Sequence, residues 1–341
     1  MSLFLLSYIG TAVETSHGIL PADVGPKTSA SVRVDPTGTS GSDIPRVVAK
    51  CFAPDNPIAD AYDVADQYVY VADVGNAISI VKAPCTVIKT VSTGEYGTLT
   101  DSAYDPESRE VFVSGFPDTL YTLKGTNVIG KITSAKLLSY PVDMEWDATA
   151  GAMLVADSGA DEIAVVHGLS THLMTTFATP AEPYDLLVAD HYVFSASNDA
   201  GTVAVFNAST FAFYGTFNLL PGIAELAWDP VNDTVVVANY DGSTVDILYP
   251  QDIPAGEFLF SDFKMGTLLG GGGVAYSPST HDIYVTGGDI SSTGLWVLSP
   301  SGAVHFVYLG KNVAAMYLVY DPADRDMYVC GYANDELYVL Q

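Results

Sequence analysis

Acidic side chains return at one phase of this chain. Asp101, Asp143, Asp185 and Glu225 each stand four residues ahead of a recurring anchor position, and Asp60 stands one residue nearer to the first anchor. Two carboxylates about 8 Å apart repel by roughly 0.5–2 kcal/mol, depending on the effective dielectric. Five around one mouth are therefore expected to raise one another's pKa or to recruit a cation. Oxygen-only donors suit Ca²⁺ or Mg²⁺ rather than zinc, and such an ion activates water or polarises a carbonyl. The competing role is plainer, because Asp is a common turn residue that caps backbone N–H groups and faces water.

No other chemistry stands out. The histidines His17, His167, His172, His191, His281 and His305 fall at unrelated phases, so they build no ring of imidazoles. No G-x-S-x-G elbow is present. Gly270-Gly-Gly-Gly273 lacks the G-K-[S/T] of a phosphate loop and leads into a strand, which makes it a connection. Cys51, Cys85 and Cys330 form no C-x-x-C pair; they are expected to be small buried hydrophobes, and their odd number leaves at least one thiol outside any internal pairing.

The elements that must position the acids repeat about every 42 residues. The anchors are aromatic-Asp pairs: Tyr62-Asp63, Tyr104-Asp105, Trp146-Asp147, Trp228-Asp229 and Tyr320-Asp321, with Tyr276-Ser277 as a variant. The long gap between Asp147 and Asp229 holds two periods, and Pro183–Ala189 supplies the missing member without the pair. In each of the seven units a short strand ends at the anchor and a turn follows, often Asp-Pro or Ser-Pro. A β-branched run such as Tyr68–Ala72 or Val235–Ala238 comes next, then a polar loop and a third run such as Ile78–Val81. Most units add a fourth.

Four short strands per period of about 40 residues make a β-propeller blade, packed on both faces. The fold expected is all-β: a seven-bladed β-propeller spanning residues 45–341, preceded by an extension of uncertain role over 1–44. The last unit stops after its third strand, and a strand at about 46–52 is expected to complete that blade. The anchor aromatics are expected to pack between blades. The extension holds an apolar run, Leu3–Ile9, read as an outer strand or a signal remnant, and a possible strand at Ser31–Val34.

Composition narrows the function classes. The chain carries 40 acidic against 13 basic residues, a formal net charge of −27, yet only 16% of its residues are charged and 48% are hydrophobic. So much apolar material excludes a disordered acidic tail. The scarcity of cations argues against nucleic acid as a partner. No stretch reads as a membrane-spanning helix. Low charge density with abundant Ser, Thr and Tyr suggests an extracellular or cell-surface location, and Asn207-Ala-Ser209 and Asn232-Asp-Thr234 fit the glycosylation triplet.

Tyr284-Val-Thr-Gly287, Val237-Ala-Asn239 and Tyr70-Val-Ala-Asp73, together with the Pro lead-ins of Pro57–Asp63 and Pro141–Asp147, resemble the YVTN family of seven-bladed propellers. That resemblance covers roughly residues 46–341. It implies a surface-displayed binding or structural module with no shared catalytic set, meeting a protein or glycan on its acidic face. The alternative is a metal-dependent propeller hydrolase, lactonase or lyase. Its channel-mouth carboxylates Asp60, Asp101, Asp143, Asp185 and Glu225 would hold Ca²⁺ or another divalent cation.

Overall fold

The computed structural model describes residues 45–341 apart from 54–55, 95–97, 134–137, 168–171, 265–271 and 290–291. The expectations for Leu3–Ile9 and Ser31–Val34 lie outside the described residues. Twenty-eight strands, β1 to β28 in chain order, form seven antiparallel sheets of four. The innermost strands are β2 (Pro57–Asp63), β6 (Leu99–Asp105), β10 (Pro141–Asp147), β14 (Asp185–Ala189), β18 (Ile223–Asp229), β22 (Val274–Tyr276) and β26 (Ala315–Asp321). Each touches the next, and β26 returns to β2, so the sheets stand around a central axis as blades of a propeller.

The described residues of the second and third strands are mostly apolar and buried because both faces are covered. In Glu110–Gly115 and Ala152–Asp157, for example, every residue is buried. A strand buried on one face only would alternate. Outer strands such as β5 (Thr86–Ser92) are largely exposed. The turn after each inner strand is built as its residues dictate: the Asp63 carboxylate accepts the N–H groups of Ala65 and Asp66, and Asp105, Asp147, Asp229 and Asp321 repeat the motif. Anchor aromatics lie between blades: Trp146 packs against a core cluster that includes Phe112 of the blade before its own, and Tyr62 belongs to one with Tyr328 and Cys330.

The circle closes through β1 (Val47–Phe52), which pairs antiparallel with β28 (Glu336–Leu340) in the order β1-β28-β27-β26. Arg46 and Gln341 exchange backbone hydrogen bonds beyond one end, and Ala53 N–H donates to the Asp335 carbonyl beyond the other. A disulfide reinforces the seam. Cys51 on β1 is bonded to Cys85, in the turn between β4 (Ala77–Lys82) and β5 of the first blade. The expectation of small buried hydrophobes is therefore corrected for Cys51 and Cys85, and Cys330 is the buried thiol left outside the pairing. Pairing was hidden because the two partners belong to different blades, Cys51 on the closing strand of the seventh and Cys85 on a turn of the first.

Closing a loop of 34 residues restricts the unfolded chain by about 3–4 kcal/mol. Replacing both Cys51 and Cys85 by Ser is expected to lower Tm by on the order of 10 °C. Calorimetry with and without reductant checks this: the reduced wild type should melt with the double variant, and coincident oxidised and reduced curves would show the bond to be energetically idle.

Candidate functional site

Four of the five anticipated acids form one row on the inner strands, and each reaches across to the following blade. Met144 N–H donates to Asp101 Oδ2 at 2.9 Å, Leu186 N–H to Asp143 Oδ2 at 2.7 Å, Leu226 N–H to Asp185 Oδ2 at 2.9 Å and Val274 N–H to Glu225 Oε2 at 2.8 Å. An inner strand has no further strand on its axial side, so some of its N–H groups lack ladder partners. A carboxylate from the preceding blade supplies the acceptor. In β6, β10 and β18 the register slips one residue before the acid, a bulge that re-aims its side chain.

The row ends where the backbone leaves no room. A Cβ on Gly273 would overlap the Met316 carbonyl oxygen of the seventh blade. Thr286 takes over there: its Oγ1 accepts the Gly273 N–H at 2.7 Å and donates to the Met316 carbonyl at 2.9 Å. Tyr317 occupies the matching position in the seventh blade. Burial, then Tyr184, Glu225, Asp143 and Asp185, hold its hydroxyl firmly protonated.

Asp60 does not join the row. Its one-residue offset puts it at the phase of Met144, Leu186, Leu226 and Leu318, whose side chains point back into the core shared with the preceding blade. A shift of one residue along a strand moves the side chain to the opposite face. Asp60 accordingly lies beside Cys330 of the seventh blade, and neither of its oxygens accepts a hydrogen bond of ordinary geometry. Burial pushes its pKa up to about 8. The row position of the first blade is filled by Ala59.

Electrostatics within the row follow from crowding in a poorly solvated channel. Asp101 and Asp185 are almost fully buried, whereas Asp143 and Glu225 are half-buried. Burial first, then mutual repulsion with Asp143, lifts Asp101 and Asp185 well above the usual carboxylate range, and burial does the same for Glu225. Asp143 is lifted by burial to about 7, restrained by the Leu186 N–H that it accepts. Sequence reasoning missed a neighbour: Glu145, two residues along the same strand, is raised by burial and then by Asp143 to about 8. Its signal was there, since alternate residues of a strand share a face.

At neutral pH the row thus holds both protonated and ionised carboxyls. Such a set donates a proton at one oxygen and removes one at another. It is a poorer cation trap. Each member spends an oxygen on a backbone N–H, and among the described residues no three His, Cys, Asp or Glu side chains converge to hold a metal ion. The loop acids do local work: the Asp157 carboxylate accepts the Ser139 N–H at 2.6 Å and that of Asp335 the Asn56 N–H at 2.8 Å.

No family model and no curated protein matches the chain. Solved structures do. Selenomethionine-substituted virginiamycin B lyase from Staphylococcus aureus superimposes with a TM-score of 0.72 at 10% identity, over 87% of this chain and 99% of that one. A streptogramin B lyase superimposes with a TM-score of 0.69 at 12% identity, over 84% and 94%. At such identities the likeness establishes the fold: a seven-bladed propeller. The expectation of a non-catalytic binding or structural module is nevertheless corrected, because the propellers this chain resembles are enzymes, which favours the catalytic alternative.

Proposed function

We propose that this protein is a propeller enzyme of the lyase type, working by proton transfer at Asp143 and Asp101. The observation that carries the reading is their place in one row on adjacent inner strands, each held by a backbone N–H of the next blade, with Asp143 raised by burial to about 7. A general base is most effective when its pKa lies close to the working pH. Ionised Asp143 removes a proton from carbon next to a carbonyl. The electron pair forms a carbon–carbon double bond as the carbon–oxygen bond breaks, and the carboxyl of Asp101 protonates the departing oxygen. Proton exchange between the two carboxyls through solvent then resets the pair. These steps use only the two carboxyls. Dependence on Ca²⁺ or Mg²⁺ is measured in the same assay.

The test uses virginiamycin B and simpler β-acyloxy esters as probes, with product followed by mass spectrometry. Turnover is expected to rise as pH passes about 7. Asp143→Asn, which preserves the shape of the group, is expected to slow turnover at least 100-fold. Absence of turnover by the wild type, or an unimpaired Asn variant, overturns the proposal.

We also infer a YVTN-type relationship, supported by the motifs at Tyr284 and Tyr70, and a location outside the cytosol. The Cys51–Cys85 bond supports the latter, because structural disulfides persist in oxidising compartments. Among the described residues no helix is long and apolar enough to cross a membrane. Recovery of the native protein with Cys51 and Cys85 reduced would count against that location.

A further inference from the structure

We propose that Tyr317 is a further catalytic residue of the channel site. Its hydroxyl donates a hydrogen bond to the substrate carbonyl oxygen, where negative charge builds as Asp143 removes the proton. The inference rests on the proton-transfer reading and adds to it the group that receives the charge.

The row position is acidic on four consecutive blades and neutral on the other three. Asp101, Asp143, Asp185 and Glu225 hold it from the second blade to the fifth, and Ala59, Gly273 and Tyr317 hold it on the first, sixth and seventh. Ala59 and Gly273 have no polar side chain, so within that arc the row offers one donor. Thr286, which replaces the missing acid of the sixth blade, already donates to the Met316 carbonyl. A circle of seven sets the seventh blade opposite the third and fourth. In β26 the register slips between Ala315 and Leu318, as it does ahead of Asp101, Asp143 and Glu225, so the bulge aims Tyr317 at the axis as it aims them.

The surroundings of the hydroxyl agree. The groups that act on it electrostatically are Tyr184, Glu225, Asp143 and Asp185, which belong to the third, fourth and fifth blades and meet the seventh across the channel. The ring is held in place by packing on the cluster that contains Ile58, Ala59 and Leu99. The side chain is half-buried, and its hydroxyl is neither sealed from the channel nor hydrogen-bonded to a described residue. A fixed phenol with an uncommitted proton therefore faces the base.

Charge explains why the donor stands there. An enolate-like oxygen turned toward the acids would meet ionised carboxylates, whereas the arc of Ala59, Gly273 and Tyr317 carries none. Burial and the facing carboxyls keep the phenol protonated, so it donates throughout the working range of Asp143. The balance is unchanged: Asp143 takes one proton, Asp101 gives one to the departing oxygen, and Tyr317 keeps its own.

Tyr317→Phe in the full chain tests this with the same β-acyloxy esters. Loss of one preorganised donor to a developing oxyanion is expected to lower kcat about 10²–10³-fold, with KM little changed. The rise in rate near pH 7 should stay where Asp143 sets it. The Tm should also stay, because the hydroxyl has no partner inside the protein. Turnover that Asp143→Asn abolishes but Tyr317→Phe leaves intact overturns this proposal alone; no turnover by the wild type overturns the proton-transfer reading with it. A loss of kcat that comes with a lowered Tm or a displaced pH inflection makes the hydroxyl a structural support, and equally overturns the catalytic role.

Discussion

Removing residues 1–53 is expected to abolish the cooperative unfolding transition or drop it far below that of the full chain, whereas removing 1–44 leaves it in place. The difference is β1. Its loss strips five register pairs from β28, exposes Leu337, Val339 and Leu340 from full burial, and cuts the Cys51–Cys85 bond. At about 1 kcal/mol for each hydrogen bond and roughly 25 cal/mol for each Å² of apolar surface, the cost exceeds about 5 kcal/mol. Typical domains are stable by only about 5–15 kcal/mol. Circular dichroism melts of the two truncations and of Cys51→Ser separate the strand from the disulfide. Equal melting of both truncations would mean that β1 does not seal the circle.

Asp60→Leu is expected to stabilise the protein, and more so in alkali. The matching positions of later blades hold Met144, Leu186, Leu226 and Leu318, so Leu suits the packing between blades. The pH dependence follows from the direction of the shift. Asp60 has its pKa raised from 3.8 to about 8, so between those values the folded protein keeps a proton that the unfolded chain has released. Its contribution is complete below about pH 4 and is lost as pH rises through about 8. Across that window each such group lowers stability by about 1.4 kcal/mol per pH unit. Asp143 and Glu145, raised to about 7 and about 8, act in the same sense. The wild type should thus melt lower at pH 8 than at pH 5. The Leu variant should show a shallower slope and a Tm several degrees higher at pH 8. An unchanged slope would show that Asp60 carries no buried proton.

The fold was largely legible in the sequence because it is written seven times. Any single run such as Val235–Ala238 fits a buried strand or a piece of helix, but recurrence at one phase, with Asp-Pro turns between, leaves only a blade. Even the unit without its aromatic-Asp pair was recoverable from spacing. The site was legible in part. Four acids of one phase lie in one row, yet their bonds to Met144, Leu186, Leu226 and Val274 depend on the next blade's backbone, which no local pattern displays. Asp60 was placed with them because an offset of one residue looked small; on a strand it is a change of face. Glu145 was overlooked since only one blade has an acid there. The disulfide was illegible for a different reason: its cysteines sit on two different blades, and the repeat pattern within a blade says nothing about pairs between blades.

That bond has a bearing on how the chain comes to be made. β1 leaves the ribosome well ahead of its partner β28, so at roughly 5–20 residues per second the early strand waits on the order of 15–60 s for its mate. Cys85 emerges only 34 residues behind Cys51. Oxidation can therefore moor the waiting strand against the newborn first blade long before the closing partner exists, shielding a sticky edge from neighbouring chains during translation.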